Sequence, residues 1–362
     1  MVLNWSLGCV KTSCYAGAKH CFAKSLRRRR LSSGDDHRLA KSARIIAKLS
    51  GANMFQHRIS RRTALRMLGA IGGLTFVSTG SAADDRSARD AVQILKKIES
   101  DARGRLGVFA LDTGSGRSFG LNQDSRFAMC STFKLLLAAV ALREADANRL
   151  DLNEVIAYSQ TDMVPVAPVT SLHLAEGGMS VGELAKATLQ TSDNVAGNLL
   201  IKRFGGPDGF TKILRGLGDN TTRLDRYETV MNLVPPGEIR DTTTPRAMAE
   251  TTSRILTGDL LGRSSRATLI EWMIETKTGL TRLRANLPKH WVAGGKTGTA
   301  LHPSMANKHN DVAIIMPPGR APIIVAAYFE ASGYFNEMRA EDNAVLAAVG
   351  SVVADWAVVA QP

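Results

Sequence analysis

Apolar residues recur along this chain with two different periods, and the change of period divides it. Asp90-Ala91-Val92-Gln93-Ile94-Leu95-Lys96-Lys97-Ile98 has helical spacing, and Gly104 supplies a stop. Leu106 to Leu111 reads as a strand, Asp112 to Gly116 as a turn, and Arg117 to Leu121 as a return strand. The run from Leu135 to Leu142 is rich in Leu and Ala, without Gly or Pro. It predicts a buried helix with Ser131 in its first turn. Residues 131–275 read as almost wholly helical, punctuated by Gly177-Gly178, Gly205-Gly206-Pro207 and Gly216-Leu217-Gly218. Thr244 before Pro245 marks one helix start, an N-cap followed by Pro at the first helical position. After Gly279 the period shortens. Trp291 to Ala293, Val312 to Met316 and Ile323 to Phe329 read as strands, and a helix from about Ala340 to Val359 closes the chain. The expected fold is α/β, with two subdomains. A helical block, about 131–275, is inserted into a sheet subdomain drawn from 84–130 and 276–362.

The charge distribution changes this picture. The net charge of +13 suggests a nucleic-acid or membrane partner. Residues 1–82, however, carry 15 of the 46 basic residues and 2 of the 33 acidic ones, so the rest balances at 31 of each. The basicity belongs to the leader, and a nucleic-acid partner is not expected. Within that leader, Ser60-Arg61-Arg62-Thr63-Ala64-Leu65 opens a moderately apolar stretch that ends in the small residues Ser78 to Ala83. This has the form of an export signal, residues 54–83, with cleavage after Ala82 or Ala83. The stretch is too short for a stable membrane span, and the paired arginines resemble a twin-arginine signal. Periplasmic or secreted protein with no membrane anchor after cleavage is therefore expected. A signal belongs at an N-terminus, and Met54 directly precedes this one. Residues 1–53 accordingly read as an extension produced by a mis-called start, or else as a disordered one. Of the four cysteines, Cys9, Cys14 and Cys21 lie in the leader, leaving Cys130 without an intramolecular disulfide partner.

Candidate chemistry collects at four places. In Cys130-Ser131-Thr132-Phe133-Lys134, helical spacing puts Ser131 and Lys134 on one face. A serine needs a neighbour to take its proton, and a lysine enclosed by apolar residues can lose its charge and do so. The helix start adds N–H groups and positive dipole beside an oxyanion. S-x-x-K alone recurs by chance. Ser192-Asp193-Asn194 before an apolar helix is by itself a common capping pattern. Gly294-Gly295-Lys296-Thr297-Gly298-Thr299 ends a strand candidate, and offers a cation and hydroxyls to a carboxylate, or only a solvated lysine. Arg226-Tyr227-Glu228-Thr229-Val230-Met231-Asn232 opens a loop that passes Pro235-Pro236 and reaches Asp241 without secondary-structure signals, a length usually kept for function. Glu228 alone would most often be a surface carboxylate. Cys130 reads as a small packing residue.

Together, S-x-x-K, S-D-N and K-T-G resemble the set of the class A serine β-lactamases and penicillin-binding proteins. With Glu228 in the loop between the second and third, the resemblance is to class A and spans about Ala91 to Val358. It implies an antiparallel sheet flanked by helices, no metal and no cofactor, and a monomer acting on small-molecule β-lactams, penicillins and cephalosporins. It also implies roles. Ser131 is the acylated nucleophile, and Lys134 takes its proton or shares that task with Glu228 through a water. Ser192 relays a proton to the lactam nitrogen. Asn194 bonds the substrate amide, and Glu228 and Asn232 hold the deacylating water. Lys296 and Thr297 bind the carboxylate. The N–H groups of Ser131 and Thr299 form the oxyanion hole, and an Arg226–Asp241 ion pair closes the loop. A cis peptide before Thr229 is also implied.

The chain departs from the family pattern in several places. His309 stands before Asn310-Asp311 where many members place an arginine, and Arg282 matches the position from which others supply that cation. The hairpin from Ala300 to Lys308 is longer than usual. Val166 and Ala167 precede Pro168-Val169-Thr170 where an aromatic commonly guards the entrance. Ala300 offers Cys130 no partner, so the activity of disulfide-bearing carbapenem-hydrolysing members is not implied. Two rivals share the serine, lysine and asparagine motifs: a D-Ala-D-Ala peptidase and a β-lactam sensor that stays acylated. Neither needs Glu228 with Asn232.

Overall fold

The computed structural model describes residues 80–359. The extension 1–53, and the signal segment as far as Thr79, lie outside the described residues. Helix α1 (Gly80–Ala102) starts before the expected cleavage point. Strands β1 (Arg105–Asp112) and β2 (Ser118–Leu121) follow as the expected hairpin. Next come a short β3 (Phe127–Ala128), a single 3-10 turn Cys130–Thr132, and helix α2 (Phe133–Asp146). A small hairpin of β4 (Val155–Ala157) and β5 (Gly178–Ser180) precedes α3 (Val181–Gln190), α4 (Asn194–Arg203) and α5 (Gly206–Gly216). Strand β6 (Thr242–Thr243) pairs with β3, and α6 (Pro245–Leu256) and α7 (Arg263–Glu275) complete the helical block. The chain ends in β7 (Val292–Ala300), β8 (Lys308–Met316), β9 (Ile323–Glu330) and α8 (Ala340–Val359).

The five-stranded sheet has the order β2-β1-β9-β8-β7 and is antiparallel throughout. Its strands read as continuous apolar runs because both faces are covered. Along β9, Ile323, Val325, Ala327 and Phe329 pack with α1 and α8, while Ile324, Ala326 and Tyr328 pack toward the helical block. The two-residue period is intact, with both sets buried. Helix α2 is buried on every side from Phe133 to Leu142, as the unbroken apolar run requires.

Three expectations change. The block 131–275 is less helical than expected: 147–180 holds β4, β5 and turns, and 217–241 is loop with one short 3-10 turn, Val230–Asn232. Its polar, glycine-punctuated stretches break the helices. Strand β7 does not stop before the glycines but runs through them to Ala300. Register with β8 pairs Lys296 with Val312 and Thr299 with His309. Ser131 lies in the 3-10 turn just before α2, not within the helix. Thr244 does cap α6, its hydroxyl accepting from the Ala247 N–H at 3.2 Å.

Candidate active site

Ser131 and Lys134 sit where β3 turns into the interior helix. Lys134 is fully buried because the helix around it is. Burial lowers its pKa, and the Glu228 charge opposes that shift. Its ammonium meets three acceptors: the Ser192 carbonyl at 2.9 Å, Asn194 Oδ1 at 2.5 Å and Glu228 Oε1 at 3.0 Å. Those are as many acceptors as an ammonium has protons. The Ser131 hydroxyl makes its own bond to Glu228 Oε1, at 3.5 Å. One carboxylate oxygen thus serves both groups, and the other accepts from Asn232 Nδ2 at 2.5 Å.

The loop that delivers Glu228 is pinned at both ends. Arg226 Nε meets Asp241 Oδ2 at 2.5 Å, with Asp241 fully buried, so the expected pair is present. Asp241 also accepts from the Asp225 and Arg226 N–H groups. The Glu228–Thr229 peptide is cis, as the resemblance implies. Sequence reading missed Asn198 on α4. Its amide donates to the Glu228 carbonyl at 3.0 Å, and its Oδ1 accepts from the Glu228 N–H at 2.9 Å, locking that residue's backbone. The available signal was a polar side chain inside an apolar helix. Asp193 likewise does more than cap α4 through the Ala196 N–H. It also accepts from the Val169 and Thr170 N–H groups, tying the entrance segment to the S-D-N turn.

The third wall is β7. A Cβ on Gly298 would lie 2.7 Å from the Met129 carbonyl and 3.2 Å from the Ser131 nitrogen. Only glycine admits so close an approach, and it brings Thr299 beside the serine. Lys296, fully buried, donates to Ser192 Oγ at 3.0 Å and to the Thr297 carbonyl at 2.8 Å. Burial, then the charge of Lys134, holds its pKa well below the usual lysine range. Arg282 reaches this wall, as expected. Its Nη2 donates to Thr299 Oγ1 at 2.7 Å and its Nη1 to the Gly298 and Asn310 carbonyls, while Asn343 Oδ1 accepts from Nε at 2.8 Å. Asn343 was missed, because α8 is distant in sequence. His309 is fully buried beside them. Its Nε2 lies 3.3 Å from Asp342 Oδ2, yet neither ring nitrogen has a well-aligned hydrogen bond. Burial, then Arg282, pushes its pKa down to about 4.

These walls enclose a cleft of about 680 Å³, lined among others by Ser131, Ser192, Asn194, Asn232, Thr297 and Thr299. All ten expected site residues are thus brought to one place, seven of them lining the cleft and Lys134, Glu228 and Lys296 beneath it. Asn194 is committed to the protein at both ends of its amide, Oδ1 accepting from Lys134 and Nδ2 donating to the Pro165 carbonyl at 2.7 Å. The exposed Val166 stands at the entrance. The lengthened hairpin tucks Met305 against Cys130, Val234 and Ala300. Cys130 is buried, and burial pushes its thiol up to about 12, which suits a packing residue rather than a nucleophile. Among the described residues no cluster of His, Cys, Asp or Glu could hold a metal ion, and no helix is long and apolar enough to cross a membrane.

A hydroxyl flanked by a buried lysine and a carboxylate, with backbone donors on one side and cations beyond, defines a serine acyl-transfer site. The model of the beta-lactamase enzyme family matches residues 89–357, and the chain belongs to that family. Beta-lactamase AST-1 of Nocardia asteroides is 45% identical over 280 residues, 77% of this chain and 85% of that protein. The carbapenem-hydrolyzing beta-lactamase KPC of Klebsiella oxytoca is 40% identical over 252 residues, 70% of this chain and 84% of that one. Among solved structures, an ancestral class A β-lactamase (GNCA) superposes with a TM-score of 0.69 at 45% identity, covering 73% of this chain and 99% of that one. A β-lactamase of Xanthomonas campestris gives 0.69 at 44% identity, covering 76% and 98%. The protein is a class A serine β-lactamase, and it hydrolyses the β-lactam ring.

Proposed function

We propose that the enzyme turns over penicillins and cephalosporins through an acyl-enzyme on Ser131, with Glu228 as the base of deacylation. The observation that carries this is the Glu228 carboxylate, bonded through one oxygen to Ser131 and Lys134 and through the other to Asn232. Acylation runs from Ser131. A Lys134 ammonium engaged by three acceptors has no lone pair to offer, so the proton passes to Glu228, directly or after Lys134 has given up its own. The N–H groups of Ser131 and Thr299 receive the developing oxyanion, and Lys296, Thr297 and Arg282 hold the substrate carboxylate. Ser192, bonded to Lys296, returns a proton to the departing nitrogen. Glu228 and Asn232 then orient a water against the ester. Neither a peptidase nor a sensor requires that last pair.

The test separates the steps. Ser131→Ala abolishes the covalent adduct. Glu228→Ala acylates more slowly, with Lys134 left as the remaining base, and loses the general-base catalysis of deacylation, worth about 10²–10⁴-fold. Intact mass spectrometry with penicillin should show accumulated acyl-enzyme for Glu228→Ala and none for the parent. Parental turnover by Glu228→Ala would remove Glu228 from this role.

The leader supports a second reading, of export to the periplasm or medium by the twin-arginine route as a monomer free of the membrane. Arg61-Arg62 before a short apolar stretch motivates it. Changing both to lysine should leave uncleaved protein in the cytoplasm, and normal export of that variant would refute the route.

A further inference from the structure

A second cleft, of about 330 Å³, lies behind the Glu228 loop. One wall is apolar, made by Val234, Pro235, Pro236 and Ile239 from the far half of that loop. The other is charged, made by Arg105, Arg126, Lys308 and Glu330 at the ends of β1, β8 and β9 and the approach to β3. Ala128 forms part of its floor, three residues before the nucleophile. None of these residues belongs to the catalytic cleft.

The charged wall is built, and it carries an excess of cations. Glu330 is shared, accepting from Arg105 Nε and from Lys308 Nζ, each at 2.6 Å. Burial raises its pKa, but these two partners more than offset that and keep it ionised. Lys308 is nine-tenths buried. The Arg105 guanidinium carbon lies over the Phe127 ring, 3.8 Å from its centroid, and its Nη2 donates to the Arg126 carbonyl. Arg126 donates through Nη1 to the Thr221 carbonyl and Thr242 Oγ1, both uncharged. Its nearest acids, Asp219 and Asp225, are engaged elsewhere, by the Thr221 and Thr222 N–H groups and by Arg223. Glu238, the other carboxylate of the cleft, is taken by Arg240 at 2.5 Å. Three cations therefore face one available carboxylate. Nη1 of Arg105 and Nη2 of Arg126 are not used by any hydrogen bond among the described residues.

We propose that this cleft binds a small organic carboxylate: an anionic head against Arg105 and Arg126, and a compact apolar body against the two prolines, Val234 and Ile239. The volume is at the lower end of ligand sites, about 300–1,000 Å³, which suits a single ring rather than an antibiotic. An apolar wall opposite paired guanidiniums selects an amphiphilic anion over a bare one, because the guanidinium fork matches carboxylate geometry and the prolines offer only surface to bury. A ligand bridging the sheet to residues 234–239 binds the folded loop and not the unfolded chain, so it raises the melting temperature.

The experiment titrates the full chain with benzoate by calorimetry at constant ionic strength. Inorganic phosphate is titrated in parallel. One benzoate per chain is expected, with phosphate markedly weaker. Arg126→Gln should weaken benzoate binding by at least about tenfold, as loss of a charge-assisted hydrogen bond implies. Ile239→Asp, on a half-exposed side chain, should do the same by repulsion. Lys296→Ala should leave binding unchanged. Absence of benzoate binding overturns the proposal. Sensitivity to Lys296→Ala without sensitivity to Ile239→Asp assigns the anion to the catalytic cleft and also overturns it. Phosphate binding as tightly as benzoate removes the apolar wall from the site and refutes the stated ligand class.

Discussion

Two buried lysines lie beneath the catalytic cleft, and their surroundings follow opposite rules. Lys134 has an acceptor for every proton, one of them a carboxylate oxygen. Lys296 has only a hydroxyl and a carbonyl, and its neighbours on that wall include Arg282, an imidazole without a well-aligned hydrogen bond, and a buried carboxylate, Asp311, whose Oδ1 has no partner. The first cluster is complete in the free enzyme. In the second, Lys296 and Arg282 share one buried carboxylate, Asp311, and neither hydrogen-bonds to it among the described residues. Chemistry needs groups that do not reorganise when the reaction starts. Binding of an anion instead gains most where desolvated cations are already waiting. On the roles proposed above, the difference between the lysines reads as a division of labour between reaction and recognition.

The sharpest way to break this comparison is to remove each lysine in turn. Lys134→Met leaves Glu228 buried without its cation, a loss that costs about 3–5 kcal/mol of stability. It should also slow acylation by about 10²–10⁴-fold. Lys296→Met removes a poorly compensated charge, so it should cost less than half as much stability while weakening substrate binding. Denaturant melts of the two variants decide it, and equal destabilisation would mean the clusters are not different in kind.

A smaller effect is expected at Arg282. Arg282→Ala removes a charge-assisted contact worth about 1.5–3 kcal/mol. It should appear as a raised KM for penicillins with kcat little changed. Steady-state kinetics that leave kcat/KM unaltered would show that Arg282 serves only Thr299, Gly298 and Asn310.

The last effect is a pH dependence. His309 is faced by Arg282, by Arg339 and Asp342, and by Asn343, and its pKa falls from 6.5 to about 4. As pH drops through this window the unfolded chain takes up the proton and the fold does not, so stability declines from about pH 6.5 to about pH 4 and the His309 contribution then levels off. His309→Gln should flatten that part of the profile, measured as melting temperature against pH. An unchanged slope would assign the decline to other groups.

The approach to Ser131, the S-D-N turn, the K-T-G strand and the Glu228 loop were all legible along the chain, because each is a local signal: a short motif, a capping pattern, or a long loop between helices. The apolar runs of β8 and β9, and that of α2, were legible because burial on all sides leaves no polar position to interrupt them. Local signals failed where a contact joins distant elements. Nothing near Asn198 announces that its side chain locks the backbone of Glu228, thirty residues on. Nothing near Asn343 announces Arg282. The extent of β7 was also missed, since five glycine and threonine residues around Lys296 carry no apolar period and only β8 supplies their hydrogen bonds.

The sequence by itself therefore determined the family, and it marked the motifs that the fold gathers at one cleft, because motif spacing and hydrophobic period are properties of the chain. Tertiary structure alone decided which group touches Ser131, how many acceptors each lysine meets and where charge is left uncompensated. Those depend on distances between residues from about a hundred to more than two hundred positions apart, set by how helices and sheet pack rather than by any pattern within them.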